Sequence, residues 1–129
     1  MLELEVVTPS RTALHEPVRY VVVPSTEGRY GILPHHAPMV VALGRGVLHY
    51  GQGERRLGLV VEGGICELSG RKATILTEVA LLPEDIDVRA EQEKRAEAEA
   101  LLTQGGTPAQ IAEARGRLAE ALARLEIIE

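Results

Sequence analysis

Thr77-Glu78-Val79-Ala80-Leu81-Leu82-Pro83-Glu84-Asp85-Ile86-Asp87-Val88-Arg89-Ala90-Glu91-Gln92-Glu93-Lys94 is the stretch in which the chain changes from one structural grammar to another. Before it, short β-branched runs are punctuated every several residues by turn formers, the pattern of a sandwich or barrel. Leu2, Leu4 and Val6 alternate with Glu3 and Glu5, which predicts a strand with one buried face. Tyr20-Val21-Val22-Val23 is continuous and predicts a strand covered on both faces. Further strands are expected over residues 39–43, 47–50, 56–61, 65–68 and 73–77, separated by Gly44-Arg45-Gly46, Gly51-Gln52-Gly53, Gly63-Gly64 and Ser69-Gly70.

After Glu84 the composition turns to Ala, Glu, Arg and Leu, all good helix formers. Asp85 or Asp87 can cap a first helix running to about Leu102, and Gly105-Gly106 stops it. Thr107 then supplies an N-cap, Pro108 a first helical position that needs no donor, and Gln110 the return half of a capping box. The second helix carries Ile111, Leu118 and Leu125 at heptad spacing, with Ala114, Ala121 and Ile128 completing the stripe. Its partner offers mainly Ala90, Ala96, Ala98 and Ala100, so the contact is thin and the pair only marginally stable by itself. The expected architecture is a β-sandwich N-terminal domain over residues 1–84, followed by a C-terminal antiparallel two-helix hairpin over 85–129.

Composition narrows the function. The net charge of -5 opposes binding to nucleic acid, where basic patches supply most of the affinity. Cys66 is the single cysteine, so neither an intrachain disulfide nor a cysteine-rich zinc site is available, as suits a reducing cytosol. The start at Met1 has no basic, apolar leader, and no segment approaches the roughly 20 apolar residues of a membrane span, which predicts no direct lipid insertion.

Three motifs carry a family resemblance. Gly31-Ile32-Leu33-Pro34-His35-His36-Ala37-Pro38, after Glu27-Gly28, resembles the G-I-x-P-G-H-A-P signature of epsilon subunits of F-type ATP synthases. Val61-Glu62-Gly63-Gly64-Ile65-Cys66-Glu67-Leu68 before Ala73-Thr74-Ile75-Leu76 is similar to that family's S-G-G-x-x-E-V and V-T-I-L strands, and Glu84-Asp85-Ile86-Asp87 to its interdomain link. The resemblance implies a ten-stranded sandwich with two helices and a non-catalytic rotor subunit of the proton-transporting complex. The implied partners are the gamma subunit, the c-ring and the catalytic β subunits. The implied location is the cytoplasmic face of the bacterial plasma membrane, as a peripheral subunit. The helices would fold back on the sandwich or extend toward the head and restrain ATP hydrolysis. A β-sandwich adaptor outside any ATP synthase is the alternative.

The resemblance places Glu27, Arg29 and His36 at the gamma and c-ring interface. Lys94, Arg95, Arg115, Arg117 and Arg124 read first as solvated helix faces, and Arg115, Arg117 and Arg124 alternatively as contacts to the catalytic head. Two departures from the family pattern stand out. His35 replaces the signature's second glycine. Some bacterial members bind regulatory ATP through I/L-D-x-x-R-A, whereas Ile86-Asp87-Val88-Arg89-Ala90 is one residue short, putting Asp87 and Arg89 roughly 200° apart on a helix. The expectation is therefore no cofactor, with regulatory ATP at Asp87 and Arg89 as the alternative if Asp87 caps the helix and the geometry recovers. No metal is expected either, because adjacent His35 and His36 point apart in an extended segment and lack a carboxylate partner. Cys66 reads as a core thiol, and no base, orienting acid and oxyanion site form a set. Gly116 in a helix interior reads as a close-packing site or an aid to refolding.

Overall fold

The computed structural model describes residues 1–128; Glu129, the last residue of the expected helical domain, lies outside the described residues. Ten strands build two five-stranded sheets. They are β1 (Leu2–Val7), β2 (Thr12–Val18), β3 (Tyr20–Ser25), β4 (Gly28–Ile32), β5 (Met39–Ala42), β6 (Arg45–Gln52), β7 (Arg55–Glu62), β8 (Ile65–Ser69), β9 (Lys72–Leu76) and β10 (Val79–Leu81). A 3-10 turn (Pro83–Asp85) leads to α1 (Val88–Gln104) and α2 (Pro108–Glu126). One sheet runs β2-β1-β9-β8-β5, the other β10-β7-β6-β3-β4. All pairings are antiparallel except β1 with β9.

The period-2 pattern decides which side chains meet between the sheets. Leu2, Leu4 and Val6 of β1 are fully buried, and they join Val21 and Val23 of β3, Leu48 of β6, Leu59 and Val61 of β7 and Ile75 of β9 in one aliphatic core. Tyr20–Ser25 departs from the reading of a doubly covered strand: Val21 and Val23 are buried, while Tyr20 and Val22 are half-buried. Double coverage falls instead on β6 and β7, where Val47 and Val60 are buried on the face opposite the main core. There α2 packs on the sheet. Ile127 approaches Gly58 so closely that a Cβ on the glycine would stand 3.3 Å from its Cγ2.

Gly64 explains the glycine pair in the second motif. It has φ +101°, and an added Cβ would lie 1.9 Å from the Leu76 carbonyl oxygen, so only glycine permits the β7–β8 turn to pass beside β9.

In the hairpin, α2 buries Ala114, Ala121 and Leu125 and half-buries Ile111 and Leu118 as its stripe predicts, while Ile128, the stripe's last member, is half-buried in the turn beyond the helix end. The α1 side differs from the expected alanine face. Ala98 is buried, but Ala96 and Ala100 are exposed, and the other buried residue is Glu91. Glu91 and Ala98 are seven apart, so the inward stripe simply begins on a carboxylate rather than an alanine. Gly116 is exposed with nothing within 4 Å of an added Cβ, which removes the close-packing reading.

Candidate functional site

The signature loop joins β4 to β5. His35 has φ 68° and is the one non-glycine residue with positive φ among the described residues. The loop thus places an L side chain in the left-handed region at the expense of strain, with the Arg71 guanidinium 3.4 Å from His35 Nε2. His36 is fixed more firmly. Its Nδ1 lies 3.1 Å from the Ala37 carbonyl and so donates to it; in the neutral ring Nε2 then accepts from the Tyr30 hydroxyl at 3.0 Å. The two rings meet edge to face at 5.7 Å. Tyr30 packs against the main core, which anchors the loop through His36. Glu27 and Arg29 are exposed on the β3–β4 hairpin. Arg29 is one residue from Tyr30 and belongs to the opposite face of β4, where its charge reaches His49. Glu27, Arg29 and His36 therefore share an edge of the sandwich rather than a single face.

A second constellation lies where the hairpin meets the sandwich. Glu91 of α1 has a side chain only 5% exposed, and its Oε1 accepts from Lys94 Nζ at 3.1 Å and Arg124 Nη1 at 3.0 Å. Arg124 of α2 also stands 3.8 Å from Glu62 Oε1 on β7. Arg45 of β6 reaches the same Glu62 oxygen at 3.7 Å and Glu120 of α2 at 3.1 Å. Three acids and three bases thus interlock two helices and two strands. Glu91 Oε2 and Arg124 Nε are buried without a partner among the described residues. Arg124 is therefore an interior residue at 19% exposure, which corrects its reading as part of a solvated face. Lys94 and Arg95 remain about half exposed, and Arg115 and Arg117 are exposed.

Farther along α2, Glu126 Oε2 lies 3.2 Å from His49 Nε2. Burial, and then the Arg56 charge, hold the His49 pKa below its ordinary value despite the nearby Glu126 carboxylate. His49, Arg55, Arg56 and Glu126 line a polar recess of about 520 Å³. Between the helices, Lys94, Ala98, Leu101, Ala114 and Arg117 border a groove of about 360 Å³, the space that small side chains leave unfilled.

Asp87 and Arg89 are not brought together. Asp87 is the α1 N-cap and accepts from the Ala90 amide at 3.1 Å, while the Arg89 side chain is 92% exposed beside Glu93. Asp85 serves elsewhere. It accepts from Leu82 N at 2.9 Å and from Arg11 Nη2 at 2.6 Å, and Arg11 also donates to the Ala80 carbonyl at 3.1 Å. Hydrogen bonds from Arg11 and Leu82 hold the Asp85 carboxyl below its ordinary range. Cys66 is a core residue whose thiol is pushed up to about 12 by burial and, secondarily, by Glu67. That is the opposite of nucleophile activation.

Sequence reasoning takes Glu91 for a surface partner of Arg95, whereas Glu91 is buried against Lys94 and Arg124 and Arg95 pairs with Glu99; it misses Glu62, Arg45 and the Arg11–Asp85 tie. A signal for Glu91 was present: it interrupts the alanine stripe of α1 at the position seven before Ala98.

A family model described as the β-sandwich domain of the ATP synthase delta/epsilon chain matches residues 1–83. The ATP synthase epsilon chain of Nitratidesulfovibrio vulgaris (strain DP4) is 39% identical over 126 residues, which cover 98% of this chain and 94% of the relative. That of Leptospira borgpetersenii serovar Hardjo-bovis (strain JB197) is 43% identical over 100 residues, 78% of this chain and 79% of the relative. A chain in the cryo-EM structure of the Euglena gracilis mitochondrial ATP synthase, OSCP/F1/c-ring, superposes with TM-score 0.67 at 25% identity, covering 98% of this chain and 76% of that one. A chain of the Tetrahymena thermophila mitochondrial ATP synthase central stalk and c-ring shares the fold, with TM-score 0.62 at 16% identity over 99% and 96% of the two chains.

Proposed function

The chain belongs to the ATP synthase delta/epsilon family, and from that premise we propose that its sandwich seats it on the gamma subunit and c-ring while its hairpin restrains ATP hydrolysis. Its part in the complex is non-catalytic. The observation that carries the division of labour is the hairpin's contact with the sandwich: α2 covers a small apolar patch of Val47 and Val60, reached by Ile127 at Gly58, and ion pairs of Arg124 and Arg45 supplement it. A contact of that kind suits two conformations separated by a few kcal/mol.

Glu27, Arg29 and the His36 loop are the proposed contacts to gamma and the c-ring, offered along one sandwich edge. Arg115 and Arg117, exposed on α2, are the proposed contacts to the catalytic β subunits; Arg124 joins them only after leaving Glu91 and Glu62. The proposed place of work is the cytoplasmic face of the bacterial plasma membrane. No helix among the described residues is long and apolar enough to cross a membrane. ATP is not the proposed trigger, a reading supported by Arg89 facing outward beside Glu93, even though Asp87, as the α1 cap, does not occupy the helical position that would set it opposite Arg89. Calorimetric titration with ATP and magnesium tests this, and binding that disappears in Arg89→Ala overturns it.

Reconstitution tests the main reading. Full-length chain and a version ending at residue 86 are added to gamma and to an epsilon-depleted head. Both are expected to co-elute with gamma, and only the full chain to lower ATP hydrolysis. Failure of either to bind gamma overturns the assembly role. Equal hydrolysis with both overturns the regulatory one.

A further inference from the structure

Arg124 touches α1 and the sandwich at once. Nη1 reaches Glu91 at 3.0 Å and Nη2 reaches Glu62 at 3.8 Å, so one guanidinium spans the hairpin seam and the docking seam. The planar fork of arginine presents separate Nη1 and Nη2 donors in fixed directions to the two carboxylates. We infer that Arg124 is a two-armed clasp: its Glu91 arm closes the hairpin, its Glu62 arm docks the hairpin on β7, and the two arms release separately. This deepens, and rests on, the reading of the hairpin as a movable element.

The arms differ in shielding. Glu91 is 5% exposed, whereas Glu62 is 18% exposed and shares its oxygen with Arg45, itself 55% exposed. Salt screens exposed charges far more than buried ones, so the docking arm yields first. Removing Glu62 leaves Arg124 still paired with Glu91, and the closed hairpin departs as a unit. Removing Glu91 strands Arg124 Nη1 and opens α1 while Glu62 still holds α2. The Arg45–Glu120 pair, the Glu126 carboxylate beside His49 and the apolar cover over Val47 and Val60 also hold α2 on the sandwich, so docking weakens further when Arg45–Glu120 is lost with the Glu62 arm.

The test uses full-length chain with spin labels at exposed positions. Gln92→Cys with Ala119→Cys reports hairpin closure, and Ala119→Cys with Glu54→Cys reports docking; the native thiol of Cys66 is buried. In Glu62→Gln, and in the parent at high salt, the undocked population is expected to rise about tenfold or more with the closure distance unchanged, as loss of one partner of a shielded ion pair implies. In Glu91→Gln the closure distance is expected to broaden while docking holds. Unchanged distances in both variants, or both distances dispersing in Glu62→Gln, overturn the clasp. Sandwich tyrosine fluorescence monitors folding in every variant, and Glu91→Ala replaces Glu91→Gln if glutamine keeps the pairing. No hydrolysis is measured, so a hairpin that does not regulate ATPase leaves this result standing on its own.

Discussion

His35 sits at φ 68°, a region in which an L side chain costs about 1–2 kcal/mol, although histidine tolerates it better than branched residues. His35→Gly relieves that strain, loses the weak Arg71 contact and raises the entropy of the unfolded chain, so a net gain of about 0.5 kcal/mol is expected. His35→Val should lose more than about 1 kcal/mol. Urea midpoints check the pair, and a valine variant as stable as the parent refutes the strained loop. His49 leads to a pH dependence. Its folded pKa lies below 6.5, so between those values the unfolded chain binds a proton that the folded chain refuses. Stability therefore rises with pH across that window and falls as pH drops below 6.5. His49→Gln should flatten the slope there, measured as urea midpoint against pH; an unaltered slope assigns it to other groups. The facing charges are Arg56, Glu126 and Arg29, and the two arginines both oppose protonation.

At the scale of elements, Gly116 occupies an exposed position on α2 with open space around a Cβ, so Gly116→Ala should stabilise the helix by about 1 kcal/mol. Thermal melts followed by helical circular dichroism check this, and slower hairpin opening is the kinetic companion. The 3-10 turn predicts a second effect. Arg11→Ala removes both the Asp85 pair and the bond to the Ala80 carbonyl, costing about 1 kcal/mol and freeing the junction to exchange faster. Unchanged amide exchange at Asp85 and Ile86 contradicts that role. The elements readable in the sequence were those whose signals are local. Thr107 and Gln110 do form the capping box, and Asp87 does cap α1. The strands that went unread, β2, β4 and β10, are all sheet edges. Pro17 in β2 and Gly28 and Gly31 in β4 are residues that edges tolerate and centres do not, and they blur the alternation that identifies a strand.

Over the whole molecule, the legible part was the part that depends on periodicity: two sheets, their aliphatic core, and two helices. The clasp was illegible because Glu62, Glu91 and Arg124 are brought together by the docking angle of the hairpin, for which no local pattern speaks. That same distinction predicts how the chain unfolds. The sandwich shares one continuous core, whereas the buried residues of the two helices are Glu91, Ala98, Ala114, Ala121 and Leu125. At about 25 cal/mol per Å² of apolar area, those alanines contribute little beyond Leu125 and the Val47 and Val60 patch under α2, and the ion pairs that supplement them weaken with salt. The helical signal is therefore expected to melt before the sandwich, with the gap widening at high salt. Tyr20, Tyr30 and Tyr50 all lie in strands, so tyrosine fluorescence reports the sandwich alone while the far-UV helical band follows the hairpin. Two separated transitions that converge at low salt support a hairpin held chiefly by charge. A single coincident transition at every salt concentration means instead that the helices and the sandwich form one cooperative unit, and a release of the hairpin without unfolding the sandwich is then excluded.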